Sequence, residues 1–290
     1  MNTAIEHMNP SYVLGHSAAE LERLISQSRI LGDLTEQVLR RAGLEPGMRV
    51  LDLGCGPGDV SFMAASMVGP SGNVRGIDSS EQAIALARKR AQASALSNVS
   101  FEVSDIAEFT LTDRVDAILG RLVLMYLPDP AAVLRRLAGR LSTRGIVVFH
   151  EIDVSSARSV PDCPLYKACG NWIWETFHRA RLETDMGSRL YSTFRRAGLP
   201  APRMLLGARV EAGPDSFIYE YLAETVRSLL PMMERFGVVS ADTVGIDSLA
   251  DRLRAEAVEL DAVLIAPNLI GAWTRKPGRD RPSSGPGQES

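Results

Sequence analysis

The sequence predicts an α/β protein, with a mostly parallel sheet covered by helices on both faces. Three observations predict it. Short apolar runs alternate with stretches of helical periodicity along most of the chain. One of them, from Gly145 onward, reads as a continuous apolar strand, as strands buried on both faces do. The first of them ends in Gly54-Cys55-Gly56-Pro57-Gly58-Asp59, where three alternate glycines lead a strand directly into a helix.

The elements follow in order. From Ser17 to Ala42, helical spacing lets Leu21, Leu24, Ile25, Ile30, Leu31, Leu34, Val38 and Leu39 share one face. Ser17 with Glu20 makes a capping-box pattern at the start, and Pro46-Gly47 ends the helix. Arg49 to Leu53 is a strand, Asp59 to Val68 a helix, Val74 to Ile77 a strand, and Glu81 to Ala95 a helix. Val99 to Val103 and Val115 to Leu119 are strands. The helix from Pro130 to Leu141 opens on a proline, whose missing N–H is harmless in a first turn. Gly145 to Ile152 is a continuous apolar strand. Ser155 to Leu190 is rich in aromatics and reads as irregular, and Ser192 to Ala197 resumes helix. Met204 to Val210 and Ala262 to Trp273 read as the last two strands, with helices at Ser216 to Phe236 and Ala241 to Leu260 between them. Pro277 to Ser290, rich in Gly, Pro and Ser, reads as a disordered tail. The expected organisation is a helical lid over 1–43, a core over 44–154, and an insertion with the completing elements and a ligand pocket over 155–276. A tail over 277–290 follows.

Of the 290 residues 45% are hydrophobic and 23% charged, an ordinary globular composition. A net charge of −3 argues against nucleic acid or an anionic membrane as partner. Cys55, Cys163 and Cys169 are odd in number and widely spaced, which argues against a disulfide framework and a zinc site. Met1 to Pro10 lacks the pattern of a signal peptide, and no apolar run approaches the roughly 20 residues that span a bilayer. The expectation is a cytoplasmic protein with no resident metal. Its expected partners are a small molecule and, at most, a second copy of the chain.

The amides that open the helix after the glycine turn are unpaired and partially positive, so they favour an anionic group. A dinucleotide turn needs Gly-x-Gly-x-x-Gly, but Asp59 stands where its third glycine belongs. Asp78, ending the next strand, suits a ribose diol in either NAD or S-adenosylmethionine. Asp52 discriminates between them. A carboxylate just before the turn repels a pyrophosphate and accommodates a cationic amine or a sulfonium, and S-adenosylmethionine carries both. A structural role for Asp52 stays open at this level.

Leu51-Asp52-Leu53-Gly54-Cys55-Gly56-Pro57-Gly58 resembles the first motif of the class I S-adenosylmethionine-dependent methyltransferases. Gly76-Ile77-Asp78-Ser79-Ser80 resembles their second motif and Ser104-Asp105-Ile106 their third. Arg121 to Leu127 and Leu141 to Gly145 resemble the later ones, although Thr143-Arg144-Gly145 stands where the family usually has Pro-Gly-Gly. The resemblance covers about Leu44 to Glu151 and looks closest to the small-molecule, ubiquinone/menaquinone-type branch. Tyr12-Val13-Leu14-Gly15-His16-Ser17, with Glu20, Arg23, Leu24 and Gln27, is similar to a lid in a natural-product branch.

The resemblance implies a Rossmann-like, seven-stranded sheet and S-adenosylmethionine as cofactor, leaving as S-adenosylhomocysteine. It implies that Gly54, Gly56 and Gly58 let backbone approach the cofactor's methionine part, with Asp52 nearby. Asp78 and Ser79 would meet the ribose, Asp105 and Ile106 the adenine, and Arg121 would border the site. Tyr12, His16 and Gln27 would close over the cofactor. A turn cap for Asp105, a surface ion pair for Arg121 and a plain covering helix for the lid stay open.

The acceptor side belongs at the carboxyl ends of the fourth and fifth strands. Tyr126, His150, Glu151 and Asp153 are candidates there. Alternation puts Glu151 and Asp153 on one face and His150 on the other, and Glu151 is preferred as an orienting group or base. In the insertion, Trp172, Trp174, Phe177 and Tyr191 suit a flat acceptor, and His178 is a further candidate base. Trp172 and Trp174 cannot share a helix face, so one is expected to line a pocket while the other packs. The expected reaction is methyl transfer to an O, N or C nucleophile of a small metabolite. The alternatives are non-methylating use of the same cofactor, or an RNA or protein acceptor.

Overall fold

A computed structural model of the chain describes residues 18–278. Tyr12, His16, the Ser17 cap and the tail from residue 279 onward lie outside the described residues.

Helix α1 (Ala18–Ala42) precedes five parallel strands: β1 (Arg49–Leu53), β2 (Asn73–Asp78), β3 (Val99–Val103), β4 (Val115–Arg121) and β5 (Leu141–Asp153). Crossover helices α2 (Asp59–Val68), α3 (Glu81–Ala93) and α4 (Pro130–Ala138) join β1 to β2, β2 to β3 and β4 to β5. Then come β6 (Arg158–Val160), α5 (Pro164–Arg179), α6 (Met186–Arg196), β7 (Arg203–Gly207) and β8 (Val210–Glu211). Helices α7 (Ile218–Arg235), α8 (Ala241–Val244) and α9 (Leu249–Glu259) lead to β9 (Val263–Ile265) and β10 (Asn268–Arg275). The main sheet has seven strands in the order β3-β2-β1-β4-β5-β10-β7, and β10 is antiparallel to both of its neighbours. This is the expected mostly parallel, Rossmann-like sheet.

Strand alternation divides the core in two. Val50, Ala117, Leu119, Ile146 and Val148 face one way, against Val38 and Leu39 of α1 and Ala64 and Val68 of α2. Leu51, Leu53, Ile118, Val147 and Phe149 face the other way, against Leu134 and Leu137 of α4 and Phe194 of α6. Each Val, Leu, Ile or Phe side chain among them contributes about 1.5–3 kcal/mol when taken out of water. Because the chain runs outward from β1 in one direction and from β4 in the other, their carboxyl ends part to leave a crevice.

Several predicted elements differ. Residues 155–190, expected to be irregular, contain α5 and the start of α6. Helix α5 packs on the core with one side and lines a cavity with another, so its apolar arc is wide and its polar stripe is narrow. The single helix expected over 241–260 stops at Gly245, which is left-handed at φ 56° and caps α8. The strand expected over 262–273 is interrupted at Ala266-Pro267, where proline cannot donate to a ladder. Its first part, β9, sits between β6 and β8 in a separate three-stranded sheet, which also takes the end of the strand expected at 204–210.

Candidate functional site

A cavity of about 690 Å³ opens at the carboxyl ends of β1, β2 and β4. Its volume lies in the range of small-molecule and cofactor sites. One end is built by the glycine turn and the other by helices α5 and α7.

At the first end the three glycines do different things. Gly54 turns with φ 63°, and a Cβ there would stand 2.5 Å from Val123 Cγ2. Gly58 has φ 95° and backs onto Phe62 and Phe101, away from the cavity lining. Only Gly56 is bare toward the cavity, its nearest neighbour being Leu24 at 3.9 Å. Its amide donates to Asp78 Oδ2 at 2.9 Å, and the Ser80 amide donates to Asp78 Oδ1 at 2.9 Å. Each oxygen keeps a second lone pair for a ligand. Ser79, Asp105 and the buried Ile106 line the same end, and Asp105 Oδ1 caps the Ala107 amide at 2.7 Å.

Asp52 is buried on the cavity wall and accepts from Ser61 Oγ of α2 at 2.5 Å. Burial pushes its carboxyl up to about 7, against the Ser61 hydrogen bond and the Arg121 charge, which both favour ionisation. Arg121 ends β4 on the same face, feels Asp59 and Asp52, and donates to Thr35 Oγ1 of α1 at 3.3 Å. Burial lowers its pKa. The first end of the cavity thus holds a buried carboxylate and a half-buried guanidinium on one face.

The second end is apolar and aromatic. Helix α5 turns Tyr166, Ile173 and Phe177 inward, seven and four residues apart on one face. Helix α7 contributes Ile218, Tyr221, Leu222 and Thr225 with the same helical spacing. Tyr126, Ile152, Val154 and Pro267 complete the wall. Burial raises the Tyr126 hydroxyl pKa, so this phenol stays protonated. Leu21, Arg23, Leu24, Gln27, Ile30 and Leu31 of α1 cover the cavity from the other side, with Arg23 held by both oxygens of Glu20 at 2.7 Å.

Other expected site residues stand elsewhere. His150 points from β5 toward α1, its Nδ1 3.1 Å from Thr35 Oγ1, and burial takes its pKa down to about 3. Glu151 is fully buried behind the cavity wall, where its Oε1 accepts the amides of Val123 at 3.0 Å and Leu124 at 2.9 Å. Its Oε2 has no hydrogen-bond partner among the described residues, and burial raises its pKa to about 7. Trp172 and Trp174 both pack on the core and neither lines the cavity, because Ile173 between them takes the inward position. Trp174 stacks on the exposed His178 with centroids 5.0 Å apart, and Tyr191 is half exposed. Sequence reasoning passed over Tyr166, Ile173 and Tyr221. A helical period counted from Pro164 and from Ile218 would have placed all three on inward faces.

Among the described residues no His, Cys, Asp or Glu group is arranged to hold a metal ion, and no helix is long and apolar enough to cross a membrane.

Residues 44–198 match the family described as a methyltransferase domain. Trans-aconitate 2-methyltransferase from Variovorax paradoxus (strain S110) is 34% identical over 119 residues, covering 41% of this chain and 44% of that protein. Aklanonic acid methyltransferase DauC from Streptomyces sp. (strain C5) is 36% identical over 130 residues, covering 44% of this chain and 56% of that protein. The chain thus spans about half the length of the curated relatives it matches. Among solved structures, a Bacillus halodurans C-125 protein aligns with TM-score 0.56 at 17% identity over 84% of this chain and 98% of the other. A Haemonchus contortus phosphoethanolamine N-methyltransferase 2, solved with phosphomonomethylethanolamine and S-adenosylhomocysteine, gives 0.51 at 20% identity over 84% and 52%. At these identities the likeness to solved structures is one of fold.

Proposed function

Because the chain belongs to the methyltransferase-domain family, we propose that it moves a methyl group from S-adenosylmethionine to an O, N or C nucleophile of a small metabolite. The acceptor is flat and largely apolar, of the kind met in natural-product or quinone-like metabolism. One observation carries this reading: a single cavity joins the glycine turn to an aromatic lobe. A ligand pair can therefore lie end to end within it.

The residues at the first end fit the cofactor. Gly56 leaves backbone bare, Asp52 offers a buried carboxylate to an ammonium, and Arg121 offers a cation to a carboxylate. Asp78 retains lone pairs for ribose hydroxyls, while Asp105 and Ile106 suit the adenine edge and face. When bound, the cofactor supplies a methyl on a sulfonium, ready for in-line displacement. The protein's own contribution is to hold the acceptor in line and to keep water out. Positioning of this kind is worth up to about 7–11 kcal/mol. In this reading α1 is a lid, since six of its residues from Leu21 to Leu31 cover the cavity.

The test is a turnover screen of the protein with S-adenosylmethionine and metabolite pools, read by mass spectrometry. The expected result is S-adenosylhomocysteine together with an acceptor heavier by one CH₂. An acceptor converted to a product of unchanged mass, with no S-adenosylhomocysteine formed, would transfer the reading to non-methylating chemistry, and no calorimetric cofactor binding would end it.

A further inference from the structure

Gln27 of α1 donates its side-chain amide to the Tyr221 hydroxyl of α7 at 3.2 Å, and both residues line the cavity. The same two helices are tied again at the start of α7, where Arg29 lies 3.9 Å over the Phe217 ring. Tyr221 is therefore held from the opposite wall. As the phenol oxygen accepts from Gln27, it keeps its own proton to donate. Among the described residues no acceptor takes that proton: Thr225 instead donates its hydroxyl to the Tyr221 carbonyl, at 2.8 Å.

The place of this phenol is informative. Tyr221 lines the same cavity as Arg121, at the cofactor end, and Tyr126, at the acceptor end. Its neighbours on the inward face of α7, Ile218 and Leu222, are apolar and adjoin the α5 wall. A free O–H donor thus stands on the wall of the cavity, among apolar neighbours that suit a ring.

We propose that Tyr221 binds the acceptor: its O–H donates to an oxygen on a flat apolar molecule, while Gln27 sets the direction of the phenol. The substrate class is an oxygenated aromatic, such as a phenol, enol or quinone-type compound, oriented by that oxygen. This rests on the functional reading above. Gln27 acts through Tyr221 and is a positioning residue.

The test uses 2-naphthol and naphthalene, which share a ring system and differ by one hydroxyl, in fluorescence titrations of the full chain. Wild type is expected to favour 2-naphthol by roughly 3–10-fold, the yield of one neutral hydrogen bond. Tyr221→Phe should erase that preference and leave both the naphthalene and S-adenosylmethionine affinities unchanged. Gln27→Ala, which keeps the phenol and frees its direction, should reduce the preference without abolishing it. A preference absent from wild type, or one that survives Tyr221→Phe, overturns the proposal. So does a Tyr221→Phe chain whose loss falls on S-adenosylmethionine, since the phenol would then serve the cofactor. A wild type that takes up no S-adenosylmethionine sinks the methyltransferase reading, and the naphthol pair still decides this one.

Discussion

Gly56 donates its backbone N–H to Asp78 Oδ2 at 2.9 Å, which makes the glycine turn and the end of β2 a single piece. Asp78→Ala should therefore loosen the turn as well as remove the proposed ribose contact. S-adenosylmethionine affinity is expected to fall by about 10–100-fold, the range for losing hydrogen bonds to a charged group. Calorimetry checks this, and an unchanged affinity would remove the cofactor assignment.

Gly54→Ala and Gly56→Ala should separate stability from binding. Both residues are left-handed, but a methyl at Gly54 drives into Val123 while one at Gly56 enters the cavity. Gly54→Ala is expected to destabilise by about 2–4 kcal/mol. Gly56→Ala should cost about 1–2 kcal/mol and still abolish most cofactor binding. Urea unfolding alongside calorimetry distinguishes the two.

Asp52 predicts how cofactor affinity depends on pH. Burial holds its carboxyl near 7 in the free protein, so below that pH the group is mostly neutral and attracts a cation weakly. S-adenosylmethionine affinity should rise as pH climbs from about 6 through 7, with a proton released on binding. Asp52→Asn should bind weakly at every pH and release none. Calorimetry in two buffers of different ionisation enthalpy reads the released proton directly.

Glu151 predicts a trend in stability. Its carboxyl stands near 7 in the folded chain against 4.5 as the ordinary value, so between those limits the folded state holds the extra proton. Stability from this group is fully present below about 4.5 and is lost as pH rises through 7. Glu151→Gln keeps an oxygen for the Val123 and Leu124 amides and cannot ionise. Its stability relative to wild type should improve from about pH 5 to pH 8, by on the order of 3 kcal/mol at most. Denaturant melts at the two pH values provide the check, and equal shifts in both proteins would contradict it.

The acceptor wall gives a steric prediction. Ile173 faces the cavity, while its neighbour Trp174 stacks on His178. Ile173→Phe should weaken 2-naphthol binding about tenfold or more and leave S-adenosylmethionine binding alone. Trp174→Phe should change neither affinity.

The sheet and the glycine-turn end of the cavity were legible because their signals are local. The glycine turn, Asp78 and Asp105 stand at strand ends, and their spacing follows from the alternation of strand and helix. The acceptor end depends on partners distant in sequence. Alternation correctly set His150 and Glu151 on opposite faces, but not what covers each face. Thr35 of α1 covers one and the Val123–Leu124 amides the other, so both side chains are held away from the cavity. Helix α5 was hidden for a related reason. Apolar positions on both its core and cavity sides leave only a narrow polar stripe, Lys167, Asn171, Glu175 and His178, and the conspicuous tryptophans drew attention from the Ile173 between them.

The position of β10 between β5 and β7 has a consequence for how the chain is made. Strand β7 leaves the ribosome before β10, yet its place in the sheet exists only through β10. While some sixty residues are still being synthesised, its apolar edge has no ladder to join. The nascent protein must carry a five-stranded platform, with α1 unable to rest on the missing strand. Ile218, Tyr221, Leu222 and Pro267 of the cavity wall arrive with the same segment between β7 and β10, so the pocket cannot close before that segment has been made.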